Sequence, residues 1–194
     1  MSSKTAELPG YLPGDWRIDP QRSTLKFSIG HLGLHTVHGT LAISGEFVMA
    51  DEPEGSSVSA VIDLASVHTG SHGRDKSARS SSLLDVGNYP TGHYRSTAVV
   101  PAAPGGNPRT FVLEGELTLL DVTRPLALDI SLQEPASTDG RPCPVIAGRG
   151  RFARRDFGLV YRIRPQFLDR AMGSTIDVEL TMQGLPAPPR GPQP

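Results

Sequence analysis

Cysteine is almost absent. Cys143 stands alone among 194 residues, so no disulfide forms within the chain, and neither an oxidising nor a reducing compartment is demanded. Long hydrophobic runs are missing as well. No window approaches the roughly 20 apolar residues that span a bilayer, so no transmembrane segment is expected. The opening stretch Met1–Gly10 has no apolar centre of the kind a secretory signal carries, and the default expectation is a cytoplasmic protein. Charge of one sign is also lacking. The formal net charge is -1, with 19 Lys and Arg against 20 Asp and Glu and no block of like charges. Nucleic-acid binding ordinarily leaves a basic face, so no nucleic-acid partner is expected. There is no internal repeat and no change of composition along the chain, which leaves one domain with one sizeable core.

What the sequence has is alternation with period two. Leu25, Phe27 and Ile29 alternate with Thr24, Lys26 and Ser28, and Leu41, Ile43, Phe47 and Met49 alternate with polar neighbours. Side chains on a strand point to opposite faces in turn, so each run has one apolar and one wet face. The segment His31–Gly39 joins them as an antiparallel pair. The same pattern recurs at Trp16 and Ile18, at Val58–Leu64, weakly at His93–Val100, and at Phe111–Leu119, Leu126–Leu132, Val145–Phe152 and Ile176–Met182. Residues 70–92 break it, with short helical stretches at best in Arg74–Leu84, because three consecutive serines favour local side-chain-to-backbone bonds. Pro101–Arg109 reads as a hairpin loop, Asp121–Pro125 as a turn, Pro135–Pro144 as a polar loop and Arg164–Met172 as room for one helical turn. Eight or nine amphipathic strands in up-and-down order close their apolar faces as a barrel or a sandwich. The expected organisation is a flexible lead at 1–14, a barrel domain at 15–183 and a Pro-rich tail at 184–194.

Several patterns mimic reactive sites. His31, His35 and His38 would line one face of a helix as a metal site, but Gly33, Gly39 and the flanking strands argue for a hairpin, so no metal is expected. Ser23-Thr-Leu-Lys26 matches a Ser-x-x-Lys nucleophile motif, yet on a strand those two residues face opposite ways. Gly148-x-Gly-x-x-Ala153 imitates a dinucleotide fingerprint without the strand-to-helix turn it needs.

Six ordered motifs carry a resemblance. They are Ile18-Asp19-Pro20 with Ser23; Phe27 with His31-Leu32-Gly33, Val37 and Gly39; Ile62-Asp63 with Ser66-Val67 and Thr69-Gly70; Arg74-Asp75, Arg79-Ser80, Asp85-Val86 and Tyr89-Pro90; Gly115–Thr118 with Val122–Pro125; and Arg155–Leu159. In these the chain resembles the YceI family of lipocalin-like, polyisoprenoid-binding proteins. It departs at Ser77-Ala78, where members commonly carry His-Leu, at Leu84 in place of an aromatic, and at Leu120-Asp121. The resemblance implies an all-β fold, an eight-stranded antiparallel extended lipocalin-like barrel with one or two short helical turns. It also implies an apolar channel for an isoprenoid chain or similar long lipid and no catalytic residues. The charged residues Arg74, Asp75, Arg79, Asp85, Arg155 and Asp156 are read as caps and loop ties in preference to head-group contacts.

The apolar stripe then carries the function. Strands of ten or more residues span roughly 33 Å, long for a small barrel to pack solid. The expected channel lining is Phe27, Ile29, Leu41, Ile43, Phe47, Phe111, Leu113, Leu117, Leu126, Leu128, Ile130, Ile176, Val178 and Leu180. The first reading is a carrier that sequesters a polyisoprenoid quinone, polyprenyl phosphate or similar lipid, with no cofactor beyond that lipid. The alternatives are an enzyme using the same cavity with His31 as base, and a stress-linked interaction protein with a filled core. Homodimerisation is compatible with all three.

Overall fold

A computed structural model describes residues 8–31, 35–102, 107–161, 169 and 171–187. Its strands are β1 (Gly14–Ile18), β2 (Thr24–His31), β3 (His35–Met49), β4 (Ser57–His68), β5 (Thr91–Pro101), β6 (Thr110–Leu119), β7 (Val122–Pro125), β8 (Leu128–Leu132), β9 (Ala136–Thr138), β10 (Arg141–Cys143), β11 (Val145–Ala153) and β12 (Met172–Pro186). A helix, α1 (His72–Arg79), lies between β4 and β5, and short 3-10 turns occupy Pro53–Gly55 and Arg154–Phe157.

Every pairing is antiparallel, and the main sheet runs from β2 through β3, β4, β5, β6, β8 and β11 to β12, which pairs with β2 again. The sheet is therefore a closed barrel, and closure removes the raw edges that a sheet otherwise exposes. Two of its eight staves are made of two strands each. β1 pairs the end of β3, with Trp16 opposite Phe47, and β2 pairs its start, with Phe27 opposite Gly39; both also pair β12. The residues between them step out as a kink. There the Asp19 N–H donates to Gln183 O (2.9 Å), the Asp19 carboxylate accepts from the Gln21 N–H (2.9 Å) and Ser23 Oγ accepts from the Gln183 N–H (3.1 Å). β7 and β8 likewise share the stave beside β6, while β9 and β10 form a separate ribbon. β3 bends at Gly45, whose φ of 133° disfavours other residues and whose absent Cβ would lie 2.9 Å from Ala60 Cα.

The upper end of the barrel carries α1 and residues 80–90, the Leu120-Asp121 turn and the turn after β11. The lower end is packed. Trp16, Phe47, Met49, Phe111, Leu132 and Cys143 are buried there. The Tyr11 hydroxyl donates to Ala50 O (2.7 Å), and Trp16 Nε1 donates to Leu12 O (3.0 Å).

Several boundaries differ from the sequence reading. The lead is not wholly detached, since Leu8, Tyr11 and Leu12 pack on the core and β1 starts at Gly14. The last strand passes the expected boundary at 183, because Gly184 and Pro186 pair with Ile18 and Trp16. The turn expected at Asp121–Pro125 is confined to Leu120 and Asp121, both at positive φ (49° and 62°), a two-residue hairpin that frees Val122–Pro125 to pair with β6. The polar loop 135–144 folds into the β9–β10 ribbon around Asp139-Gly140, again at positive φ. The helical turn expected at Arg164–Met172 falls mostly on residues 164–168 and 170, outside the described residues; Asp169 and Ala171 within it are helical, and Met172 opens β12. Among the described residues no helix is long and apolar enough to cross a membrane.

Candidate functional site

Inward-facing side chains of the barrel enclose a cavity of about 190 Å3. One water needs about 15 Å3 on the same measure, so this is a void of ligand size. Phe27, Ile29, Leu41, Ile43, Leu113, Leu117, Leu126, Leu128, Ile130, Ile176, Val178 and Leu180 all border it. Phe47 and Phe111 do not. They lie one layer lower, in a separate 40 Å3 pocket with Tyr11, Met49 and Leu132. Alternation tells which face a residue takes but not its height along the axis. Other linings were missed although they follow the same alternation, among them Leu25, Ile62, Leu64, Leu119, Ile146, Phe152 and Met182. Ala78, Leu83 and Leu84 border the cavity from the segment above it. Phe27, Leu41, Ile130, Ile176, Val178 and Leu180 point inward yet are only half-buried, because part of each faces the void.

The axis stays open because large side chains lie flat over glycines on neighbouring strands. Gly39 is opposite Phe27, and a Cβ there would come within 2.6 Å of Phe27 Cε1 and 2.9 Å of His68 O. In the same way a Cβ added at Gly115 would come within 2.5 Å of Tyr94 Cζ, one at Gly92 within 2.6 Å of Leu119 Cδ2 and one at Gly150 within 2.5 Å of Leu128 Cδ2. A side chain laid along the wall occupies the space of the missing Cβ instead of the middle of the barrel.

Among the described residues two polar groups on long side chains, Tyr94 and Arg154, reach this lining, and protein atoms satisfy both. The Tyr94 hydroxyl lies 3.1 Å from Leu113 O and 3.2 Å from Leu126 O as donor, and burial pushes its pKa well above the ordinary phenol value. Arg154 is 1% exposed. Its Nε donates to Gly173 O (2.8 Å), Nη1 to Leu159 O (2.5 Å) and Asp169 Oδ1 (2.6 Å), and Nη2 to Asp169 O (2.8 Å). Arg155 Nη2 donates to the other carboxylate oxygen, Asp169 Oδ2. Arg154 is absent from the expected lining. The signal was present: Ile146, Gly148, Gly150 and Phe152 face inward, and one more step of two reaches Arg154.

The hydrogen bond from Arg154 holds the Asp169 carboxyl below the usual carboxylate range, against the opposing effect of desolvation; the Tyr161 N–H and the Arg155 charge add to it. The unfolded chain then binds a proton more readily than the folded one. The stabilisation is complete above the ordinary carboxylate pKa of about 3.9 and is lost as pH falls through the lower folded value. Urea midpoints of the wild type should therefore fall as the pH is taken below about 4, and Asp169→Asn should make that fall shallower. Equal slopes for the two proteins would overturn this account.

The charged residues of the sequence motifs hold the upper end together. Asp75 is buried and accepts from the Thr69 N–H (2.8 Å) and Thr69 Oγ1 (2.6 Å), with His68 Nδ1 3.3 Å away. The Thr69 bonds are the main cause of its lowered pKa. Arg74 donates to Thr69 Oγ1 (2.9 Å) and Thr69 O (3.1 Å), and Arg79 to Ala65 O and Val67 O (2.8 Å each), tying α1 to β4. Asp85 accepts from Asn88 Nδ2 (3.0 Å), and Asp156 is exposed. None of these five residues, nor Arg155, borders the cavity.

The motifs that imitate reactive sites are not assembled. His31 and His35 are paired across the β2–β3 hairpin, and His35 and His38 are exposed. Among the described residues no three His, Cys, Asp or Glu converge as a metal site requires. Gly148 and Gly150 sit in the middle of β11.

The comparisons agree with this geometry. The YceI-like domain model matches residues 16–184. A UPF0312 protein of Pseudomonas syringae pv. tomato is 35% identical over 179 residues, covering 90% of this chain and 88% of its own. One from Ectopseudomonas mendocina is 36% identical over 121 residues, and that match spans 60% of this chain and 61% of the relative. Among solved structures, Burkholderia cenocepacia BcnA superposes with a TM-score of 0.70 at 14% identity, covering 87% of this chain and 99% of that one. A polyisoprenoid binding domain from Saccharophagus degradans gives 0.67 at 17% identity, covering 91% and 100%. With a family match from the first strand to the last and the closed barrel these folds share, the chain belongs to the YceI-like domain family.

Proposed function

We propose that the barrel binds a long apolar ligand, a polyisoprenoid or similar lipid, and sequesters or carries it with the hydrocarbon chain inside the cavity. One observation carries this reading: the cavity is bordered by aliphatic and aromatic carbon, and its two long polar side chains, Tyr94 and Arg154, are already bonded to protein. A ligand that wants hydrogen bonds finds no partner there, whereas each buried methylene contributes about 0.8 kcal/mol. Ordering the chain offsets part of that gain. The polyisoprenoid binding domain of Saccharophagus degradans, similar in fold, supports the class of ligand. The lower end is packed with buried side chains, so the head group stays at the upper end. The reading needs no cofactor, and it is binding rather than catalysis: no described histidine borders the cavity to serve as a base.

Native mass spectrometry of protein purified gently from its own host should show a co-purified lipid, and delipidated protein should rebind an added prenyl alcohol. Protein that is empty and also ignores prenyl alcohols would remove this reading.

A further inference from the structure

The interior holds two pockets, one above the other. The 190 Å3 cavity and the 40 Å3 pocket below it are bordered in common by four side chains, Val58, Leu113, Ile130 and Ile146. These come from four different strands, β4, β6, β8 and β11. Val58 pairs with Phe47, Ile130 with Phe111 and Ile146 with Leu132, and all three partners border the lower pocket. The four therefore form a layer across the barrel. The lower pocket is itself bordered by the buried side chains of Tyr11, Phe47 and Phe111. A hydrocarbon chain entering from the upper end meets this layer end-on.

We propose that Val58, Leu113, Ile130 and Ile146 are a stop that sets the longest hydrocarbon chain the barrel accepts. The inference rests on the carrier reading above and adds a length selectivity to it. All four are apolar, so the stop works by contact alone. Each methylene that fits above it tightens binding roughly fourfold. The first that does not fit either overpacks a filled layer or leaves the far end of the chain in water. The lower pocket is space held in reserve: shortening a stop residue joins it to the cavity.

The test uses the full chain, delipidated, and a homologous series of straight-chain primary alcohols competing in native mass spectrometry. For the wild type, affinity should climb roughly fourfold per methylene and then level off at one length. Ile146→Ala should move that break to longer alcohols, and Ile130→Phe to shorter ones. Ile130 is only half-buried, so its variant keeps the test alive if the Ile146 variant fails to fold. A wild-type break that neither folded variant moves would overturn the stop and leave the carrier reading standing, as would affinity that climbs without a break. Wild-type protein that binds no alcohol or prenyl chain at all would overturn both.

Discussion

Replacing Arg154 by leucine is expected to lower the free energy of unfolding by about 3–5 kcal/mol, the range for removing one partner of a buried ion pair. Leucine fills part of the space but strands everything the guanidinium serves. The carbonyls of Gly173, Leu159 and Asp169 lose their donor, and the Asp169 carboxylate, only 13% exposed, keeps Arg155 but loses its buried partner. Lysine should not rescue it, because an ammonium lacks the planar fork that reaches these acceptors at once. The double variant Arg154→Leu/Asp169→Asn should recover part of the loss, since it also removes the orphaned charge. Urea denaturation followed by the fluorescence of Trp16, the single tryptophan, measures all three. A cost below about 1 kcal/mol would show that the bonds around Asp169 do not form in solution.

Gly39→Ala is expected to abolish tight lipid binding and to cost about 1–3 kcal/mol in stability, the range for forcing extra volume between packed groups. The added methyl has no free direction. Phe27 covers it on one side, and His68 O, a backbone atom, stands 2.9 Å away on the other. The ring is the part that yields, and the direction left to it is the barrel axis. Phe27→Leu in the same chain should restore both stability and binding by giving back the volume. Binding measured by displacement of a bound prenyl alcohol, with thermal unfolding alongside, separates the two effects. If Gly39→Ala binds as the wild type does, the wall-hugging position of Phe27 is not what keeps the axis clear.

Much of this was readable from period-two spacing. The faces of Phe27, Leu41, Leu113 and Val178 follow from alternation alone, because a strand leaves a side chain only two directions. What was not readable depends on pairs far apart in sequence. That Phe27 lies over Gly39 requires the β2–β3 register, and the positions of Phe47 and Phe111 below the cavity require the stagger between staves. The kink at Asp19–Ser23 looked like an ordinary turn between two strands, and its effect on one shared stave shows only once β3 and β12 run alongside both. Residues 120 and 121 hid a hairpin because Leu120 is an uncommon residue at positive φ. Arg154 is not legible as a buried cation because its partner Asp169 is remote in the chain.

The pairing that shuts the barrel joins β2 to β12, with Thr24 opposite Thr181. Every other pairing among β2, β3, β4, β5, β6, β8 and β11 links near neighbours in the chain and can zip locally, whereas this one must wait for both ends of the polypeptide to meet. A chain in which that seam has not formed is an open sheet with two unpaired borders. At high concentration, the missing border can be supplied by another molecule. The same seam that makes the finished protein edgeless thus makes its assembly sensitive to crowding by its own kind during refolding.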